Sequence, residues 1–247
     1  MCTLVMLRRP SHEQWPVLIA ANRDELSTRP ARPPGRYWED RDEIRAGLDV
    51  EAGGSWFGVN DYGVMAAVLN RRGTLGPEAG KRSRGELVLE ALDYADAEAA
   101  AAALAHLDPE GWRPFNLIIA DNRDAFWIRH AGDGMLSSIP ILNGVTMATA
   151  GELNDTDSAR VRRYLPLFRS AEAPDPGKGD WSSWQLLLSS TSSETGDPRD
   201  AMCIRTDGAY GTVSSSLLAL PADIGDPPAW LFADGPPDRA AYEPVGD

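Results

Sequence analysis

Cysteine is scarce. Cys2 and Cys203 are the only two in 247 residues, which cannot make a disulfide framework. The chain reads as cytoplasmic, where thiols stay reduced. Neither cysteine has a Cys-x-x-Cys partner, and His12, His106 and His130 are scattered without ligand spacing, so no metal site is expected. Basic residues are outnumbered 37 to 24 by acidic ones, for a net charge of −13. That balance argues against nucleic acid as a partner, which requires clustered Lys and Arg, and against an anionic membrane surface. No apolar run reaches the roughly 18 residues of a membrane-spanning helix, so no membrane insertion is expected. The apolar run at 4–7 is too short for a signal peptide, and its arginines follow rather than precede it. Cysteine, not glycine, follows Met1, which excludes N-myristoylation. Gly53-Gly54 lacks the Lys-Ser/Thr of a phosphate loop. The sequence leaves the oligomeric state open.

Apolar residues are plentiful, at 43% with 8 Trp, enough for a sizeable core. The expectation is one domain over residues 1–247, with a loose tail from about 235, where three prolines occur without an apolar cluster. Short apolar stretches separated by turn residues predict strands at 4–7, 17–21, 44–48, 55–59 and 64–69, hence antiparallel sheet. Residues 27–36, with three prolines, read as a loop. Ser83 with Glu86 is a capping-box spacing that opens a helix. A second helix covers 96–106. A hairpin around 121–124 and a strand at 145–150 follow. Asp155 or Thr156 is expected to cap a helix through Phe168, and Trp184–Leu188 to form a short one. Residues 202–205 and 212–220 are predicted to pair as a final hairpin, with a last strand at 230–232. Runs of strands interrupted by helical pairs indicate an α+β fold rather than alternating βαβ.

The first 25 residues carry the chemistry. Leu4–Leu7 and Val17–Ala21 read as two arms of a hairpin, which would set Asp24 beside Cys2. Once Met1 is removed, Cys2 holds both a thiol and a free α-amine. Their ordinary pKa values, about 8.5 and 7.7–8.0, allow the amine to take the thiol proton. A carboxylate could orient the amine, but would oppose thiolate formation if it faced the sulfur. The plain alternative for Cys2 is a buried strand residue. Asn22 and Asp24 share a face of their strand and Arg23 points the other way. Arg23 suits a substrate-binding role or a pair with an acid.

Met1-Cys2 followed by Ala21-Asn22-Arg23-Asp24-Glu25-Leu26 resembles the Asn-Arg-Asp-Glu family, also called the transport and Golgi organisation protein 2 family. That family is related to the N-terminal nucleophile hydrolases. The resemblance continues through Gly53-Gly54-Ser55-Trp56-Phe57-Gly58, Gly63–Arg72, Phe115–Ile118 and Gly151-Glu152-Leu153-Asn154, and ends near Tyr210-Gly211-Thr212. It implies a four-layer α-β-β-α sandwich of two antiparallel sheets. It implies Cys2 as nucleophile, Asp24 as its partner, and Asn70 and Asn154 as oxyanion donors, with Asn22 and Arg23 at the substrate. For Asn70 and Asn154 the plain alternative is a turn or helix-capping role. The related bile-salt and penicillin amidases carry an arginine three residues before the Asp, where this chain has Ala21. The family's Tyr-Gly-Thr-Arg-Ser-Ser reads Tyr210-Gly211-Thr212-Val213-Ser214-Ser215 here, so that arginine is also missing. A Cys2–His130 dyad has only residue types in its favour, and His130 reads as a surface residue.

Two functions follow. The first is an N-terminal nucleophile hydrolase acting on an amide or related acyl bond of a small molecule, with no cofactor. The second is a non-enzymatic haem carrier on the same fold, implied by the family's association with haem trafficking. Without a Cys-x-x-Cys-His motif, any haem would be bound non-covalently.

Overall fold

The computed structural model describes residues 2–246. In chain order the strands are β1 Thr3–Arg8, β2 Val17–Leu26, β3 Ala31–Gly35, β4 Ile44–Asp49, β5 Phe57–Asn60 and β6 Met65–Asn70. Helices α1 Gly85–Leu92 and α2 Ala97–Leu104 follow. Then come β7 Phe115–Ala120, β8 Ala125–His130, β9 Leu136–Pro140 and β10 Gly144–Ala148. Helices α3 Ala159–Ser170 and α4 Ser182–Leu188 precede β11 Tyr210–Leu220, β12 Ala229–Ala233 and β13 Glu243–Pro244. The class is α+β, with two antiparallel sheets.

The chain divides into two compact units. The first comprises Met1–Arg29, Asn143–Ala222 and Pro228–Val245, and the second Pro30–Leu142, Asp223–Pro227 and Gly246–Asp247. The segments of the two units interleave along the chain.

In the first unit six strands lie in the order β10-β1-β2-β11-β12-β13. Alternate residues Val5, Leu18, Ala20, Leu217 and Ala219 project to one face, where Val161, Tyr164, Leu165 and Phe168 of α3 and Trp184 and Leu188 of α4 bury them. Phe168 and Trp184 meet edge to face with ring centroids 5.5 Å apart, a favoured aromatic geometry. The tail, expected to be loose, is docked. β13 pairs with β12, Asp238 accepts from the Cys203 thiol and from Arg205, and the Tyr242 hydroxyl bonds Ser215 at 2.7 Å. Polar anchors hold this segment where no apolar cluster would have marked it.

The second unit is a seven-stranded meander, β3 through β9 in sequence order. Helices α1 and α2 cover one face around Leu87, Val88, Leu92, Phe115 and Leu117. Half of the expected capping box forms: the Glu86 carboxylate accepts from the Ser83 amide, but the Ser83 hydroxyl accepts from the Gly85 amide, the Glu86 amide goes to the Ser83 carbonyl, and the helix is capped at Arg84 without a side-chain bond. Residues 31–35 form a strand, not the expected loop. Prolines are tolerated there because β3 is an edge strand, and the ladder shifts between Arg32 and Gly35. β9 was not foreseen, since an exposed edge strand lacks the apolar alternation that marks a covered one.

Two further corrections concern the first unit. Helix α3 starts after Ser158, with no side-chain cap, instead of at Asp155 or Thr156. Asp155 is used in a turn, its carboxylate accepting from the Asp157 amide. Residues 202–204 are buried and Arg205 is partly exposed, but the stretch forms no strand. Cys203 N–H bonds Ser190 and Ile204 N–H bonds the Thr212 hydroxyl, while the ladder partners of β11 are β2 and β12.

Gly54 sets how α1 docks in the second unit. A Cβ there would lie 2.5 Å from the carbonyl carbon of Gly85, and Ser55 N–H bonds the Gly85 carbonyl at 3.0 Å. Gly54→Ala is expected to lower stability by about 1–3 kcal/mol through overpacking, read as a lower denaturant midpoint at unchanged slope.

Candidate active site

The site grows from the β1–β2 hairpin. The register pairs Thr3 with Asn22 and Arg8 with Val17. One residue further on, Cys2 falls across from Arg23 and Asp24. The half-buried Cys2 thiol donates to the Asp24 backbone carbonyl at 3.7 Å, and the Tyr210 hydroxyl donates to the same oxygen at 3.4 Å. The expected removal of Met1 concerns a residue outside those described.

The Asp24 side chain turns away from this carbonyl into the polar layer beneath α3. It has no solvent exposure, and Arg160 has 3%. Thr212 Oγ1 donates to Asp24 Oδ1 at 2.6 Å, and Arg160 Nη1 to Asp24 Oδ2 at 3.1 Å. The same Arg160 nitrogen donates to Thr3 Oγ1 at 2.7 Å, and Nη2 to the Arg199 carbonyl. A buried carboxylate is tolerable when charge and hydrogen bonds are both matched in this way.

A bulge makes the arrangement possible. On β11 the register with β2 shifts between Thr212 and Ser214. Thr212 and Ser215 are an odd number of residues apart, yet both bond side chains on the same face of β2, namely Asp24 and Asn22. The extra residue restores the parity. Val213, where the resemblance implies arginine, lies at this shift. Gly211 is needed because a Cβ would sit 2.9 Å from the Ile204 carbonyl oxygen, which accepts from the Thr212 amide.

The Asn22 side chain is turned into the protein. It is 1% exposed. Its Nδ2 donates to the carbonyls of Leu188 and Met202 at 3.0 and 2.9 Å, and its Oδ1 accepts from Ser215 at 2.6 Å. The expected substrate contact is replaced by a buried brace between β2, α4 and β11. Arg23 is 8% exposed and its charge acts on the Cys2 thiol.

Asn154 lies in the loop before α3 with φ 58°, the left-handed conformation that Asn adopts more readily than most residues. Its backbone N–H donates to the Met147 carbonyl, and its Oδ1 accepts from the Met147 amide at 2.8 Å. The oxygen is thereby fixed. The Nδ2 donors have no hydrogen-bond partner among the described residues. Met147 stands across from Val5 on β1. Asn70 ends β6 in the second unit, across from Phe115. His130, expected at the surface, is 4% exposed in the second unit, against the Phe115 ring with Nε2 3.3 Å from the Trp112 carbonyl oxygen.

Within the first unit the structure therefore brings Cys2 together with Asp24 and with three residues given no role by sequence reasoning: Thr3, Tyr210 and Arg160. Arg160 did leave a signal. It falls on the buried stripe Arg160, Val161, Tyr164, Leu165, Phe168, and a charge on an apolar helix face needs a buried partner.

Burial pushes the Cys2 thiol above its ordinary pKa, and the Asp24 charge adds to the rise. Arg23 offsets part of it. The thiol is therefore held in its neutral form near neutral pH.

The sequence profile described as transport and Golgi organisation 2 matches residues 1–223. The chain belongs to that family. It is 37% identical over 121 residues to the transport and Golgi organization protein 2 homolog of Bos taurus, and 36% identical over 121 residues to that of Homo sapiens. Each match covers 46% of this chain and 42% of the relative, so the chain aligns with less than half the length of these family members. Among solved structures, the Caenorhabditis elegans N-acylethanolamine-hydrolyzing acid amidase ortholog is similar with TM-score 0.60 at 14% identity, over 92% of this chain and 94% of that one. Penicillin V acylase from Agrobacterium tumefaciens gives 0.52 at 13%, over 95% and 83%. A variant of conjugated bile acid hydrolase from Clostridium perfringens gives 0.53 at 13%, over 100% and 97%. These are N-terminal nucleophile hydrolases, and this family member has their α+β fold. Among the described residues no helix is long and apolar enough to cross a membrane.

The two cysteines should react differently. Burial and the Asp238 carboxylate push the Cys203 thiol up to about 12. At pH 8 its thiolate fraction is then about one part in 10⁴, so iodoacetamide should leave Cys203 unmodified until the protein unfolds. Alkylation of half-buried Cys2 in the native protein should be measurable by peptide mass spectrometry and should go on rising with pH above the ordinary thiol range, because its pKa is raised. Equal labelling of both cysteines in the native state would contradict this picture.

Proposed function

We propose that this family member is an N-terminal nucleophile hydrolase that cleaves an amide or related acyl bond of a small molecule. The observation that carries the reading is the Cys2 thiol at the open end of β1, hydrogen-bonded to Asp24, whose carboxylate is clamped in the layer below. The fold it shares with amide-cleaving enzymes supports it.

In this reading Met1 is removed and the Cys2 α-amine is free. Because the thiol is held neutral, attack needs a base. The neutral amine takes the thiol proton as sulfur bonds to the acyl carbon. Asn154 donates from Nδ2 to the developing oxyanion, an interaction worth roughly 2.7–4 kcal/mol in a pre-organised site. Its fixed Oδ1 supplies the pre-organisation. The ammonium then returns the proton to the departing amine and leaves a thioester, which water hydrolyses. Arg23 stands beside the thiol to meet a polar group of the substrate.

Intact mass of the purified protein should show a chain without Met1. On a panel of N-acyl amides, Cys2→Ala should reduce cleavage to the uncatalysed rate, and Asn154→Ala should lower kcat by about 10²–10³. Full retention of Met1 would exclude the amine-base step. A protein that cleaves no amide, yet shows a haem Soret band that survives Cys2→Ala, would replace this reading with the carrier.

A further inference from the structure

Arg160 sits at the start of α3 and reaches down to the sheet. One guanidinium nitrogen contacts both strands that frame the thiol: Thr3 Oγ1 on β1 at 2.7 Å and Asp24 Oδ2 on β2 at 3.1 Å. Thr3 is the residue next to Cys2, and the Asp24 carbonyl is the acceptor of the thiol. The second nitrogen is tied to the Arg199 carbonyl, which holds the fork in one orientation. A planar guanidinium can make these contacts at once, whereas an ammonium is a single point. The loop that leads into α3 also carries Asn154, pinned to Met147 on β10.

We propose that Arg160 is a positioning residue of the Cys2 site. It cross-links the Cys2 end of β1 to Asp24 on β2 and holds the Asp24 carboxylate in one orientation, and so fixes the setting in which the thiol reacts. The inference rests on the hydrolase reading only for its catalytic consequence, because the clamp itself acts on the thiol.

The charged or titratable groups that bear on Cys2 are Asp24 and Arg23 on β2 and Tyr210 on β11. Arg160 on α3 acts through Asp24. Without Arg160 its ties to Thr3 on β1 and Asp24 on β2 are lost, so the end of β1 that carries Cys2 is less restrained and the thiol more open to water. Burial is the first cause that holds the thiol neutral. The sign follows: a lower thiol pKa and alkylation at lower pH.

The test uses the full chain as wild type, Arg160→Met and Arg160→Lys, with folding checked by near-ultraviolet circular dichroism. Iodoacetamide alkylation of Cys2 is followed against pH by mass spectrometry, with Cys203 as internal control. Arg160→Met should alkylate at Cys2 about threefold or more faster than wild type at pH 8, a shift of roughly half a pH unit, with Cys203 unchanged. Arg160→Lys keeps the charge and should keep the wild-type profile. It loses the fork, so Cys2 acylation by p-nitrophenyl acetate should slow about tenfold or more in single-turnover measurements, against a Cys2→Ala blank. If Arg160→Met does not fold, the Lys variant decides: wild-type acylation by Arg160→Lys overturns the proposal. So does a folded Arg160→Met protein whose Cys2 profile superimposes on wild type. A wild type that is not acylated at all, with the Arg160→Met profile shifted as stated, sinks the hydrolase reading and leaves the clamp standing. Normal wild-type acylation with indifferent Arg160 variants does the reverse.

Discussion

A carboxylate shut away from water has to be given a cation and hydrogen bonds by the fold, and in the first unit that carboxylate is Asp24. Its side chain is fully buried, with Arg160 on one oxygen and Thr212 on the other. Removing one partner of such a pair costs about 3–5 kcal/mol, a large share of a typical domain's stability. The geometry of the sheet follows from meeting this need. β2 runs four residues past Asn22, the last residue it pairs with β1, and Asp24 lies on that overhang. β11 accompanies it to Tyr210 with a bulge that turns Thr212 inward. Helix α3 begins where its first turn can deliver Arg160. The Asn22–Ser215–Tyr242 chain of hydrogen bonds is a second polar support in the same layer, and it fastens the tail.

Much of this was legible where apolar periodicity and turn chemistry agree. The β1–β2 hairpin, the β7–β8 hairpin, the helix start near Ser83 and the placement of Asp24 beside Cys2 are local patterns, and local patterns survive folding. The parity rule placed Asn22 and Asp24 on one face, as found. It did not say that this face is the interior side of a sheet under helices, where an amide is used up by carbonyls. Hence Asn22 changed from substrate contact to brace. The features that sequence reasoning missed are those set by long-range partners. Arg160 is 136 residues from Asp24. The docked tail depends on Asp238 reaching Cys203, 35 residues earlier. A bulge at Val213 shows only as a change of register that requires knowing the neighbouring strand.

The two cysteines show how far environment divides one residue type. Cys203 is fully buried with its thiol donating to Asp238, and the carboxylate that satisfies the S–H also opposes its ionisation. That site stores a neutral thiol with nothing to attack. Cys2 is raised by the same two causes, burial and a carboxylate. Two differences count. Cys2 is only partly buried, at a strand end. Its hydrogen bond runs to a neutral carbonyl while the carboxylate itself faces Arg160.

That last separation bears on the proposed chemistry. A carboxylate aimed at the sulfur would stabilise the thiol against ionisation and then repel the thiolate as it formed. Turning the Asp24 side chain into the helix layer and its carbonyl toward the thiol leaves an acceptor that aligns S–H without adding a full charge on the sulfur. A thiol so held is a poor nucleophile on its own, because the thiolate is the reactive species. It becomes useful only next to a base, and an α-amine on the same residue, with an ordinary pKa of about 7.7–8.0, is such a base. Under this reading the site is latent while another residue precedes Cys2, since the peptide nitrogen's lone pair is delocalised into its carbonyl and cannot accept a proton. Nucleophile and base would then arise in a single event at the end of β1, into a frame that Asp24, Arg160 and Thr212 have already set.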